Sequence, residues 1–133
     1  MLSGEVEADD FFVAARDRTR RRGAGRGTDM QPMLAAVERT SGRRGRCALR
    51  VVPDCGGATW GSFASEHVDG AAHVRADGWR GITAGLRAWP GLDQRKFDAD
   101  GRDASLPTVH HVISNFKSWA TGTFHGLSTV RLQ

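Results

Sequence analysis

Two aspartates and a histidine are placed where they could act together on phosphate esters. Asp9 lies in the first apolar segment, Asp77 ends a later one, and His110 lies in the last amphipathic segment. Transfer of a phosphodiester needs acidic groups at one point, because two divalent metals roughly 3.5–4 Å apart activate the attacking oxygen and stabilise the leaving one. The three residues predict this chemistry if the fold brings them together.

Each candidate also has an ordinary structural explanation. A lone acid on an apolar strand is usually solvated, and Asp77 before Gly78 is typical of turns and helix caps. His110 on an amphipathic helix is more often a packing or surface residue, and His111 beside it is an equal candidate by residue type. Lys117, seven positions after His110, shares its helix face and either covers apolar surface with its stem or contacts a phosphate.

Hydrophobic periodicity predicts the elements that would position these residues. The predicted strands cover residues 5–13, 33–40, 47–53 and 71–76, and the predicted helices cover residues 59–68, 79–89 and 108–120. Residues 15–29 and 94–107 are polar and are predicted to be loops. The last helix would bury Val109, Val112, Ile113, Phe116 and Trp119, and all four tryptophans are expected in the core. The acids of the first strand remain to be explained.

This order of elements predicts an α/β domain. Its mixed sheet would contain an antiparallel three-stranded meander plus a further strand, with flanking helices. The chain has 133 residues, of which 39% are hydrophobic, enough for one domain with a modest core.

Charge and targeting features restrict the class of protein. The net charge is +4, and arginines cluster between Arg16 and Arg26 and again between Arg43 and Arg46, which indicates a partner that carries phosphates. Cys47 and Cys55 have the spacing of neither a zinc module nor a disulfide framework. The amino terminus is acidic and no apolar run approaches the length of a membrane span, so we expect a cytoplasmic protein with no membrane partner.

Three segments resemble the ISXO-like branch of bacterial insertion-sequence transposases of the DDE type. LPTVHHVISNFKSWATGTFHGLS is similar to the family's LPxVHxVxSNLKxWLxGTxHGxS, VRADGWRGI to its VxTDGWxGY, and GEVEADDFF to its GxVExDETY. The resemblance covers nearly the whole chain and implies an RNase H-like fold, which the predicted order of elements also matches, although that order is shared with several other folds.

The resemblance implies a role for each candidate. Asp9 and Asp77 match the two catalytic aspartates and bind Mg²⁺ or Mn²⁺, and His110 matches the third position as a DDH variant. Such enzymes cut DNA at element ends, join the 3′ hydroxyl to target DNA, and work as homo-oligomers. Mg²⁺ prefers oxygen ligands, so His110 is expected to orient phosphate or water instead of binding metal directly. Lys117 is expected to hold DNA, and Arg20, Arg21 and Arg22 to contact its backbone non-specifically.

Departures from the family pattern keep alternatives open. Asp10 stands in place of Glu, Ala14 and Ala15 in place of two glycines, Ile82 in place of an aromatic residue, and Ser118 in place of a basic one. We expect residues 1–133 to be a catalytic domain without the family's upstream DNA-binding region and carboxyl-terminal end. The first alternative is an inactive remnant that at most binds nucleic acid through its basic loop, and the second is an unrelated interaction module.

Overall fold

A mixed sheet forms the centre of the computed structural model, which describes residues 1–15, 29–42, 45–95 and 106–124. Its elements are β1 (Glu5–Ala15), β2 (Asp29–Glu38), β3 (Cys47–Val51), α1 (Gly57–His67), β4 (His73–Asp77), α2 (Arg80–Gly85), β5 (Gly91–Arg95) and α3 (Pro107–Phe124). The five strands of the described ranges lie in the order β3-β2-β1-β4-β5. β1, β2 and β3 form the predicted antiparallel meander, and β4 and β5 add to it in parallel.

The side chains of β1 alternate between two cores, one on each face of the sheet. Val6 and Ala8 belong to the core that contains α1 and α2, whereas Phe11 and Val13 belong to the core that contains α3. This alternation follows from the two-residue period of a strand. It places Asp9 on the face covered by α3.

The helices bury apolar faces that the sequence pattern largely predicts. Trp60 and Phe63 of α1 are buried against one side of the sheet, and Val109 and Ile113 of α3 against the other. The prediction for Trp119 was wrong, since half of its surface is exposed. Ala120 occupies the buried position instead.

Two of the four tryptophans are not core residues, contrary to prediction. Trp60 is fully buried and Trp89 packs partly against the same core, but Trp79 and Trp119 are exposed. Trp79 immediately precedes α2, so it lies outside the face that the short helix buries.

The second predicted helix is shorter than residues 79–89. α2 ends at Gly85, because glycine is a poor helix former and the chain then turns before Pro90. Gly85 is also where α2 meets α1: a Cβ there would lie 2.5 Å from Cβ of Trp60 and 2.6 Å from the carbonyl oxygen of Gly57. Close packing of two helices therefore occurs at the residue that stops one of them.

A second parallel strand was missed in the sequence. β5 falls in residues predicted to be turn and loop, and the sheet therefore has two strands beyond the meander where one was expected. The sequence of β5, GLDQR, has no β-type pattern, but it pairs with all five residues of β4. Pairing with a neighbouring strand overrides weak local propensity here.

Several other expectations can be compared with the structure. β2 begins at Asp29, four positions before the predicted start, and the rest of the predicted loop lies outside the described residues. Both cysteines are free, as expected. No helix in the described part of the chain is long and apolar enough to cross a membrane.

Candidate active site

Asp9 and Asp77 occupy matching positions on neighbouring parallel strands. Ala8 of β1 pairs with Ala76 of β4, and the two aspartates are the next residues on each strand. Ala8 and Ala76 belong to the core on one face of the sheet, and successive residues of a strand alternate between faces. Asp9 and Asp77 therefore both belong to the opposite face, which α3 covers. Oδ1 of Asp77 accepts a hydrogen bond from the backbone N–H of Trp79 at 3.0 Å, which is the turn chemistry expected before Gly78.

His110 lies on α3 directly above Asp9. Its Nε2 is 2.6 Å from Oδ2 of Asp9, a hydrogen bond in which Nε2 carries the proton when Asp9 is ionised. The structure thus brings together Asp9 and His110, which are far apart in the sequence. The ring of the neighbouring His111 instead lies 3.1 Å from the side-chain amide of Asn115.

The electrostatics of this cluster are those of crowded carboxylates. The pKa of Asp9 is raised to about 6. Burial is the largest cause, and the charges of Asp77 and Asp10 act in the same direction, while the hydrogen bond to His110 opposes them. Burial followed by the charge of Asp77 also raises the pKa of Asp10. Three negative side chains, two in the middle of β1 and one at the end of β4, therefore lie close enough to repel one another.

Asp10 belongs to the opposite face of β1 and is hydrogen-bonded to Cys55. Burial and then the charge of Asp10 raise the pKa of the Cys55 thiol to about 12, so the thiol remains protonated and donates to the carboxylate. A protonated thiol is a poor metal ligand and a poor nucleophile. Cys55 therefore acts as a polar partner of Asp10.

Glu7 is a site residue that sequence reasoning missed. It is fully buried, and its Oε2 accepts the backbone N–H groups of Thr108 at 2.7 Å and Val109 at 2.9 Å, in the first turn of α3. Its Oε1 lies 3.1 Å from Nε of Arg39. A carboxylate at a helix amino terminus satisfies unpaired N–H groups and complements the helix dipole. Glu7 thus fixes the start of the helix that carries His110, and its two-residue spacing from Asp9 was the available signal.

Lys117 lies on α3 over the same face of the sheet. Its Nζ is 5.7 Å from the centroid of the Phe11 ring, two residues after Asp9 on β1. This contact matches the structural alternative, in which the side chain covers apolar surface, although the residue as a whole is exposed. Arg20, Arg21 and Arg22 lie outside the described residues.

The donor set fits a cation held by few protein ligands. Within residues 1–15, 29–42, 45–95 and 106–124, no group of three or more His, Cys, Asp or Glu side chains is arranged to hold a metal ion. Mg²⁺, however, is often bound by one or two carboxylates, with waters and substrate phosphates completing its shell. The register-matched carboxylates of Asp9 and Asp77 meet that smaller requirement, and their mutual repulsion would be relieved by a positive charge.

The chain is thus an α/β domain in which acidic residues of the middle of β1 lie beside the end of β4. The sequence model of the ISXO2-like transposase domain family matches residues 1–133. The chain therefore belongs to the ISXO2-like transposase domain family, which confirms the resemblance found in the sequence. No curated protein is significantly similar to the chain.

Proposed function

We propose that this chain is the RNase H-like catalytic core of an insertion-sequence transposase that cuts and joins DNA strands with a divalent cation. Its family supports a role in transposition. The order β3-β2-β1-β4-β5, an antiparallel meander extended by two parallel strands, supports the RNase H-like assignment. Two features carry the proposal: Asp9 and Asp77 directly follow the paired residues Ala8 and Ala76, and Oδ2 of Asp9 lies 2.6 Å from Nε2 of His110.

In this proposal Asp9 and Asp77 hold Mg²⁺ or Mn²⁺ beside the middle of β1, where β4 ends. When bound, the cation lowers the pKa of a coordinated attacking water or hydroxyl and stabilises the negative charge on the leaving oxygen. Asp77 keeps one oxygen in its turn with Trp79, and this hydrogen bond fixes the direction of the carboxylate. DNA is the substrate, both as element ends and as target.

His110 acts on Asp9 and on phosphate in this scheme. Its Nε2 already contacts Oδ2 of Asp9, and an imidazole is a weaker ligand for Mg²⁺ than a carboxylate. His110 therefore orients the aspartate or a phosphate oxygen beside it. Lys117, exposed on the same helix, contacts the DNA backbone as a point charge.

Two observations favour the alternative, an inactive relative that at most binds nucleic acid. The described residues contain no cluster of three metal-ligating side chains, and Oδ2 of Asp9 is engaged by His110. Under this alternative the Asp9–His110 pair is a structural contact between β1 and α3. Cleavage assays separate the two functions, since only the first requires the carboxylates to be charged.

The test is cleavage of a supercoiled plasmid and of a single-stranded oligonucleotide by the purified chain with Mn²⁺, which tolerates nitrogen ligands better than Mg²⁺ does. We expect slow nicking that falls in Asp9→Asn and in Asp77→Asn by roughly 100-fold or more, beyond the usual effect of losing an outer-sphere partner. Both changes keep the side-chain shape and remove the charge.

Asp69→Asn is the matched control. Oδ1 of Asp69 accepts the backbone N–H of Ala71 at 2.8 Å, the same local turn that Asp77 makes with Trp79, but at the other end of β4. This variant should nick like the unmodified chain. Nicking that persists in both active-site variants would indicate a contaminating nuclease, and a chain with no nicking at all would favour the inactive alternative.

A further inference from the structure

An exposed aromatic groove lies beside the candidate site and has no role in the proposed reaction. Among the large hydrophobic side chains of the described residues, Trp79 is 53% exposed, Met30 50% and Phe12 46%. These three line one groove of about 700 Å³. We call it the aromatic groove, and its walls also include Pro32, Cys55 and Arg80.

The sheet explains why this surface is left open. Phe12 lies on the face of β1 that points away from α3, opposite Pro32 of β2. Closer to the start of β1 the same face is covered by α1 and α2, which bury Val6 and Ala8. At Phe12 that cover is incomplete: Gly57 and Arg80, from the starts of the two helices, line the groove beside it, and the ring is 46% exposed.

The aromatic groove adjoins the candidate site at two points. The backbone of Trp79 is hydrogen-bonded to Asp77, and Cys55 on the groove wall is hydrogen-bonded to Asp10, the residue after Asp9. β4 pairs with β1 only as far as Ala8, so beyond that residue β4 does not separate the two faces of β1. A DNA strand bound at the carboxylates of Asp9 and Asp77 can therefore reach the aromatic groove around this edge of β1.

We propose that the aromatic groove binds an unpaired base of the DNA strand next to the cleaved phosphate, with Trp79 and Phe12 as its stacking surfaces. The inference rests on the proposed function, which brings DNA to the adjoining carboxylates. Exposed aromatic rings stack on any base, and Arg80 supplies a positive charge for the attached phosphate. The volume falls within the range of small-ligand pockets, roughly 300–1,000 Å³.

The test compares the binding of two DNA molecules to the full chain in EDTA, by fluorescence anisotropy. One is a blunt duplex, and the other is the same duplex with a short single-stranded 3′ overhang. The unmodified chain should bind the overhang DNA more tightly. Trp79→Ala should weaken binding of that DNA by about 5- to 150-fold, the effect of losing one base-stacking ring, with little change for the blunt duplex. Trp79→Phe should restore most of the preference.

Trp119→Ala is the matched control, because Trp119 is 50% exposed on α3 and lies outside the aromatic groove. Abasic positions in the overhang should reproduce the loss caused by Trp79→Ala, and the two changes together should cost no more than either alone. Thermal melting of each variant checks that the fold is intact. We expect little change in Tm, because both tryptophans are half exposed.

Three results would overturn the inference: equal binding of overhang and blunt DNA, equal effects of the Trp79 and Trp119 changes, or insensitivity to abasic positions. A Trp79→Ala protein that dissociates from dimer to monomer with no change in DNA binding would make the groove an interface between copies. The nicking assay in Mn²⁺ remains separate. If nicking depends on Asp9 and Asp77 but overhang DNA is not preferred, only the role of the aromatic groove is refuted. If overhang DNA is preferred but no nicking occurs, only the catalytic function is refuted.

Discussion

Replacing Glu7 by Gln tests how α3 is held above the sheet. The change keeps the size of the side chain and removes the charge that accepts two N–H groups of the first turn of α3. Hydrogen bonds to a charged group contribute about 1.5–3 kcal/mol against about 0.5–1.5 kcal/mol for neutral ones. Interaction of a partly buried charge with the helix dipole adds up to about 2 kcal/mol. We expect the free energy of unfolding to fall by about 2–3 kcal/mol.

Thermal melting followed by circular dichroism measures this loss. For a chain of this size about 1 kcal/mol corresponds to roughly 3–5 °C, so Tm should fall by about 6–15 °C in Glu7→Gln. Nicking should fall with it at temperatures where the fold is intact, because the amino terminus of α3 positions His110. A separate variant, Glu7→Asp, keeps the charge on a shorter side chain and should therefore lose less stability and less nicking than Glu7→Gln.

Glu5→Gln is the control for the charge change. Glu5 lies two residues earlier on the same strand and also pairs with Arg39, at 3.1 Å, but its side chain is exposed. An exposed pair of this kind contributes at most about 1 kcal/mol. If Glu7→Gln and Glu5→Gln melt at the same temperature, Glu7 does not anchor α3 and the reasoning is wrong.

Two further predictions concern charge elsewhere in the chain. Hydrogen bonds from Arg46, and then from the backbone of Ser3, lower the pKa of Glu38 to about 2. The ionised carboxylate therefore stabilises the fold above about pH 4.5, and this stabilisation is lost as pH falls towards 2. In Glu38→Gln the free energy of unfolding should depend less on pH in that range, as measured by fluorescence at equilibrium. Replacing the three arginines at positions 20–22 by alanine should reduce the slope of log affinity for duplex DNA against log salt by about 2–3, and an unchanged slope would exclude them as backbone contacts.

The elements that the sequence predicts correctly are those with strong local patterns. The apolar spacing of α1 and α3 and the turn-bounded runs of the meander specify their own structure, because burial of one face is what stabilises them. β5 is different: its residues become a strand only because β4 offers an unpaired edge. α2 is shortened by Gly85, where contact with α1 outweighs the helical pattern that continues to Trp89.

The candidate site divides in the same way. Asp9, Asp77 and His110 could be selected from the sequence because their motifs match a family, whereas periodicity alone does not distinguish them from ordinary surface residues. Glu7 could be placed on the face of Asp9 by the two-residue period, but its partners are 101 and 102 positions away in the chain. No local signal specifies a contact of that range. The exposure of Trp79 depends likewise on α2 beginning one residue after it, at Arg80.

Asp9 is the residue at which fold stability and the proposed chemistry oppose each other. Burial raises its pKa to about 6, so the carboxyl stabilises the fold when protonated, fully below about pH 3.8, and this contribution is lost as pH rises through about 6. At neutral pH the ionised group therefore costs on the order of 3 kcal/mol. The hydrogen bond from His110 offsets only part of this cost, since the pKa remains raised. Neutral apolar side chains would fit a buried strand position better, and groups kept in unfavourable environments are concentrated at functional sites. A cation shared with Asp77 would remove the penalty, and this gives a physical reason, independent of family resemblance, for expecting Asp9 to bind one.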